Sequence, residues 1–166
     1  MLLCDLIRIT VLLVAAVATA LVVVTIAAIS GENNVPVLVL SAVWWPGAAM
    51  IGMVLGRYER TYANVAAALA RAKPASVFPT AGPWRIVLAR LWPIAAFTVV
   101  VAALAWLFPQ VASMSAGFAI LTALAWRRAE AAVTAIEQRD GVRFHVDVSA
   151  AWQPLKVFRT PGFMRL

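Results

Sequence analysis

Residues 9–56 read ITVLLVAAVATALVVVTIAAISGENNVPVLVLSAVWWPGAAMIGMVLG, and residues 91–126 read LWPIAAFTVVVAALAWLFPQVASMSAGFAILTALAW. Neither block contains a Lys or an Arg. The second carries no charge at all, and the first carries only Glu32. Every basic residue of the chain lies outside the two blocks. A hydrocarbon core of about 30 Å takes about 20 helical residues to cross, so the first block is long enough for two crossings joined by a turn, and the second for two short ones.

The composition of the whole chain points the same way. Its 166 residues are 64% hydrophobic and 13% charged, with a mean hydropathy of +0.90. Soluble domains are about 45–50% apolar and about 25% charged. The excess of apolar side chains cannot be hidden inside a soluble domain of this size, because much of its surface must stay wet. An ordinary soluble enzyme is thereby disfavoured, and the length suits one membrane domain. Fourteen Lys and Arg stand against seven Asp and Glu, a net charge of +7. Such a balance suits either nucleic acid or the membrane surface. Segregation of the cations from two apolar blocks is what insertion requires and what a nucleic-acid face does not, so no nucleic-acid partner is expected.

Four spans follow, at about residues 9–29, 37–56, 91–108 and 111–126. The apolar run of the first exceeds the 7–15 residues of a signal peptide, so it reads as a retained span despite its Ala18-Thr19-Ala20. SGENNVP (residues 30–36) and Phe108-Pro109-Gln110 supply the turns. Pro46 predicts a kink in the second span, and Pro93 falls in the first turn of the third. The fourth is short and is expected to run on into the helix that follows. Trp92, Trp106 and Trp126 stand near span ends, where indoles favour the interface. The segments at 57–90 and 127–166 carry six and seven basic residues, against none in the two short turns. By the positive-inside tendency both segments, and hence both termini, are cytoplasmic. The expected fold is an all-α membrane protein of the plasma (inner) membrane: four transmembrane helices in two hairpins (residues 1–126, with a cytoplasmic loop at 57–90), then a cytoplasmic extension, short strand and tail (127–166).

Within the second span, Ala48, Gly52 and Gly56 recur every four residues, the pattern that lets two helix backbones approach closely. It fits a contact with another subunit or packing inside this chain. In the cytoplasmic segments, Tyr58, Tyr62, Val65, Leu69 and Ala72 mark one face of a helix continuing from the second span. PASVFPTAGP (74–83) reads as an irregular loop. WRIVLARL (84–91) reads as a short interfacial helix presenting Trp84. Beyond 127–139, whose Ala129, Ala132, Val133 and Ile136 form an apolar stripe, Gly141 is a helix terminator. VRFHVDV (142–148) then alternates as a strand does. A strand is not stable alone, so it must pair in a dimer, pack on the stripe or add to a partner's sheet. WQPLKVFRTPGFMRL (152–166) suits docking on protein or anionic headgroups. The candidate partner contacts are Trp84, Phe144, Val146, Trp152 and Phe158 in the cytoplasm and Ala48, Gly52 and Gly56 in the membrane.

The equipment of catalysis is thin. The span interiors hold no ionisable residue of the kind ion-coupled transport uses. His145 shares a strand face with Arg143 and Asp147 and reads as solvated. Cys4 is alone and forms neither a disulfide nor a cysteine-based metal site; palmitoylation is its one open role. Glu137, Asp140 and Asp147 show no paired acidic motif, and no GxxxxGK[ST] phosphate loop occurs. No catalytic residue, metal or cofactor is expected.

The stretches EQRDGVRF (137–144) and VFRTPGF (157–163) resemble small four-span actinobacterial membrane proteins. These include lipid-uptake coordinators, accessory subunits of the Mce lipid importers of mycobacteria. The resemblance implies a non-catalytic accessory subunit of an ABC-type inner-membrane lipid importer, contacting its permease, with other integral membrane subunits and membrane lipids as partners. Two other classes stay open: a small homo-oligomeric transporter or channel, and a membrane lipid-modifying enzyme.

Overall fold

A computed structural model of the chain describes residues 1–32, 35–70, 72–74, 82–105, 107–149, 151–153 and 155–161. Most of the 74–83 loop, part of the 30–36 turn, Trp106 and residues 162–166 of the tail lie outside the described residues. The elements in chain order are α1 (Leu3–Glu32), α2 (Val35–Leu55), α3 (Tyr58–Leu69), β1 (Lys73–Pro74), α4 (Pro83–Ala105), α5 (Pro109–Trp126), α6 (Ala129–Asp140), β2 (Val142–Val146) and β3 (Val157–Pro161). They form two compact units. One is Val11–Arg57 with Ile94–Arg127; the other is Met1–Thr10 with Tyr58–Pro93 and Arg128–Leu166. Three helices, α1, α2 and α4, are long and apolar enough to cross a membrane. α5, with 18 residues that include Pro109, Gln110, Ser113 and Ser115, is not one of those three.

Among the described residues, the regular elements of the first unit are all helices. Val14, Ala18, Leu21 and Thr25 form one buried stripe along α1, at the 4, 3, 4 spacing of a single helix face. Leu21 meets Val101 of α4 and Ala116 of α5, and Trp45 of α2 packs against that cluster. The closest pairing is between α2 and α5. Ser41 lies 2.7 Å from Ser113, Trp44 and Trp45 donate to the carbonyls of Met114 and Ser113, and Gly52 faces Leu121. Gly56 faces Leu124. Ascending numbers meet ascending numbers, so the two helices run parallel. A side chain on Gly52 would put its first carbon 2.7 Å from the Leu121 carbonyl oxygen, and one on Gly56 would strike the Leu124 carbonyl. Gly117 answers from the other side, since the space its Cβ would occupy is filled by the Trp44 indole.

The second unit is a small α/β body, more than the strand and tail the sequence suggests. β2 pairs antiparallel with β3, from Val142↔Pro161 to Val146↔Val157, and β3 pairs parallel with β1 (Lys73↔Phe158). Leu3 and Leu6 of α1, Leu69 of α3, Ile86 of α4, Val133 and Ile136 of α6, and Val142, Phe144 and Val146 of β2 form its buried core. Each fully buried aliphatic side chain contributes about 1.5–3 kcal/mol relative to exposure.

Several boundaries differ from expectation, each for a local reason. α2 does not continue into α3: after the helical bond from Gly56 N–H to the Gly52 carbonyl, Arg57 N–H closes a tighter turn on the Val54 carbonyl at 3.4 Å. The segment at 84–91 is no separate helix. α4 begins at Pro83, where a proline forfeits no helical bond, and passes through Pro93 in its interior instead of starting there. α5 stops at Trp126, and Arg128, with ψ near 0°, is the N-cap of α6. Gly141 ends α6 at φ 63°, its N–H returning to the Glu137 carbonyl.

Replacing Gly52 by Leu should force α2 and α5 apart and destabilise the chain by about 1–3 kcal/mol, read as a lower melting temperature in mild detergent. Gly47, with nothing within 4 Å of its Cβ position, is the control. Gly47→Ala should leave the melting temperature level or raise it, and equal losses in both variants would contradict the pairing.

Candidate functional site

The sequence singles out two groups of side chains, and the structure treats them differently. Ala48, Gly52 and Gly56 are all buried within the helical unit. Gly52 and Gly56 lie against α5, so the chain's own helix occupies the stripe that would have received a second subunit. The polar groups around it are satisfied internally. Ser41 donates to the Val37 carbonyl at 2.8 Å, which leaves the Ser113 hydroxyl to donate across to Ser41. Thr25 donates to the Leu21 carbonyl.

The candidates outside the apolar blocks are scattered. Phe144 and Val146, expected at a partner surface, belong to the chain's own core, at 2% and 0% exposure. Alternation marks them as one face of a strand, and that face packs with the apolar stripe of α6, one of the three arrangements open to a lone strand. Phe158 is half-buried in β3 opposite His145. Trp84 and Trp152 are 68% and 75% exposed.

The outer edge of β2 is closed. Phe144 N–H donates to Glu137 Oε1 at 2.9 Å, and Val146 N–H donates to the Met1 carbonyl at 3.0 Å. Leu2 bridges His145 along the same edge. The opposite edge of the sheet is β1, whose Pro74 has no N–H to offer. Addition of a partner strand to β2 is therefore blocked by the chain itself. Glu137 is the hub of this closure, because its other oxygen accepts the Cys4 thiol at 3.7 Å. Cys4 also lies 3.7 Å from Thr134 Oγ1. Its position in sequence, so far from α6, shows none of this.

His145 sits half-buried, with Nδ1 3.2 Å from Thr160 Oγ1. Burial, with the N-terminal amino group nearby, lowers its pKa below the ordinary histidine value. Arg139 bonds Asp140 at 2.8 Å and donates to the Tyr62 hydroxyl at 3.0 Å, tying α6 to α3. That exposed pair holds the Asp140 carboxyl below its usual range. Among the described residues no three His, Cys, Asp or Glu side chains gather to hold a metal ion.

One arrangement has no signal in the sequence. Arg90 donates through one nitrogen to the carbonyls of Ala151, at 3.1 Å, and Gln153, at 2.7 Å. Trp152, between them, stands edge-on to Trp92 with ring centroids 6.1 Å apart. Arg90 thus holds the segment after β2 against the first turns of α4.

Comparison with protein-family models, curated proteins and solved structures finds no match to this chain.

Glu137→Ala should leave the buried Phe144 N–H without a partner, at a cost of about 1–3 kcal/mol, and speed amide exchange along β2. Unchanged exchange would contradict the edge closure. The lowered pKa of His145 favours the neutral ring in the folded state. Its contribution to stability is therefore present above the ordinary imidazole range, about 6.5, and is lost as pH falls through the folded-state value. The melting temperature should drop on acidification, and His145→Gln should make that drop shallower.

Proposed function

We propose that this chain is a non-catalytic accessory subunit of a larger inner-membrane assembly, and that its partner is the permease of a lipid importer of the Mce kind. The four-span topology belongs to the same proposal. α2 is a candidate span and α5 lies parallel to it along its length. Two parallel crossings require the chain to return between them, which is what α4 supplies. With α5 as the fourth span, both basic segments and both termini fall on one side, the cytoplasm by the positive-inside tendency.

The observation that carries the reading is how little of the spans the chain covers. Only 22%, 22% and 17% of the windows in α1, α2 and α4 are buried within the chain. α4 is the least covered, and its Phe97, Val99 and Val100 are 60%, 69% and 55% exposed. Lipid or another membrane protein must cover them. Meanwhile the groups best suited to chemistry hold the fold: Ser41, Ser113, Glu137, His145 and Arg90 all bond within the chain. The resemblance adds its weight here, because the end of its first motif, Val142-Arg143-Phe144 in β2, pairs with Pro161, Thr160 and Arg159 of the second in β3.

A photo-crosslinking residue in place of Val99, in the native membrane, should yield one dominant adduct with a multi-span permease. That adduct should disappear when the permease is deleted, and the lipid content of the purified chain should not change. Adducts only between copies of this chain would overturn the reading in favour of a homo-oligomer. A lipid product formed by the chain alone would overturn it in favour of an enzyme.

A further inference from the structure

Trp84, Leu88 and Trp92 follow one another every fourth residue along α4, so they form one stripe on its side. They are 68%, 50% and 48% exposed. Trp152 extends the stripe from a remote part of the chain and, at 75%, is the most exposed large apolar side chain among the described residues. Its exposure is imposed. The Arg90 guanidinium fixes the backbone on both sides of it, and the Trp92 ring meets it edge-on. A charged donor makes these bonds stronger than neutral ones. The segment is therefore fastened with an indole facing outward.

Indoles combine a large apolar body with a polar N–H, and that combination favours the boundary between hydrocarbon and water. The residues around the stripe are cationic. Arg85 stands exposed on the same turns of α4, Lys156 is exposed just beyond the fastened segment with Asp147 as its acidic neighbour across the backbone, and no Asp or Glu occurs at 82–92 or 151–156. Anionic headgroups attract such a surface. The helix that bears three of the four apolar residues is itself a candidate membrane span. A bilayer is therefore the occupant continuous with this face.

We propose that Trp84, Leu88, Trp92 and Trp152 form a seat for the anionic headgroup region of the bilayer, with Arg90 as the positioning residue that holds Trp152 in it. The proposal rests on α4 being embedded as described above. It assigns the start of α4 and the 151–153 segment to lipid and leaves the apolar face of α4 around Val99 for the partner.

The test uses the full chain in vesicles of phosphatidylcholine and phosphatidylglycerol, with lipids brominated either close to the headgroup or deep in the acyl chain. The emission lost in Trp152→Phe reports on Trp152. That share should be quenched at least twofold more by shallow bromine than by aqueous acrylamide. Arg90→Gln should reverse this preference, and omitting phosphatidylglycerol should weaken the shallow quenching. The emission gained in Phe97→Trp, quenched by deep bromine, reports separately on the span. If that added indole is quenched at depth while Trp152 is open to acrylamide, the seat is refuted and the face belongs to a protein. If the added indole escapes deep bromine, the embedding of α4 fails and the seat falls with it.

Discussion

The parallel contact of α2 with α5 is the constraint on which the helical unit depends. In a bilayer, lipid tails are as apolar as leucine, so helices gain little from hiding apolar surface from one another. What remains is close backbone approach and hydrogen bonding across the contact. Gly52 and Gly56 on one helix, and Gly117 on the other, remove the side chains that would hold the backbones apart. The Ser41–Ser113 bond and the two indole donors, Trp44 and Trp45, then set the register. With α5 as the proposed fourth span, such hydrogen bonds average about 0.6 kcal/mol each, so fit, repeated along the helices, carries the contact.

The other unit obeys a different rule. It buries leucine, valine, isoleucine and phenylalanine from elements scattered along the chain in one apolar cluster. Its strands would expose an edge, and Glu137 and the first two residues close it. Closure explains why a sheet of this size can stand without a partner strand. Phe144 and Val146 hold the unit together, and the indoles at the start of α4 and at residue 152, with Leu88, are among its outward apolar groups.

Much of this is legible in the sequence because bilayer insertion acts on long, local stretches. The absence of cations across 9–56 and 91–126 marks α1, α2 and α4, and it outlines α5. Alternation marks β2, and Gly141 marks the end of α6. The rest depends on distant partners. Ala48, Gly52 and Gly56 announce a close approach but not which helix approaches. β3 reads as part of a docking tail because its Arg-Thr-Pro breaks the alternation, and only pairing with β2 makes it a strand. A strand pattern shows two faces without saying which is covered, so it offers Phe144 and Val146 to a partner when they lie within the core. The Arg90 contacts join residues about sixty positions apart and leave no trace in spacing.

The most direct measurement is a pair of disulfide cross-links in a Cys4→Ser background. Ser41→Cys with Ser113→Cys joins matched ends of α2 and α5, while Ser41→Cys with Leu124→Cys joins opposite ends. Rapid oxidation of the first pair and none of the second is the result a parallel, interlocked pair requires. Cross-linking of the second pair in place of the first would mean antiparallel helices, no single crossing by α4 between them, and a different protein from the one described.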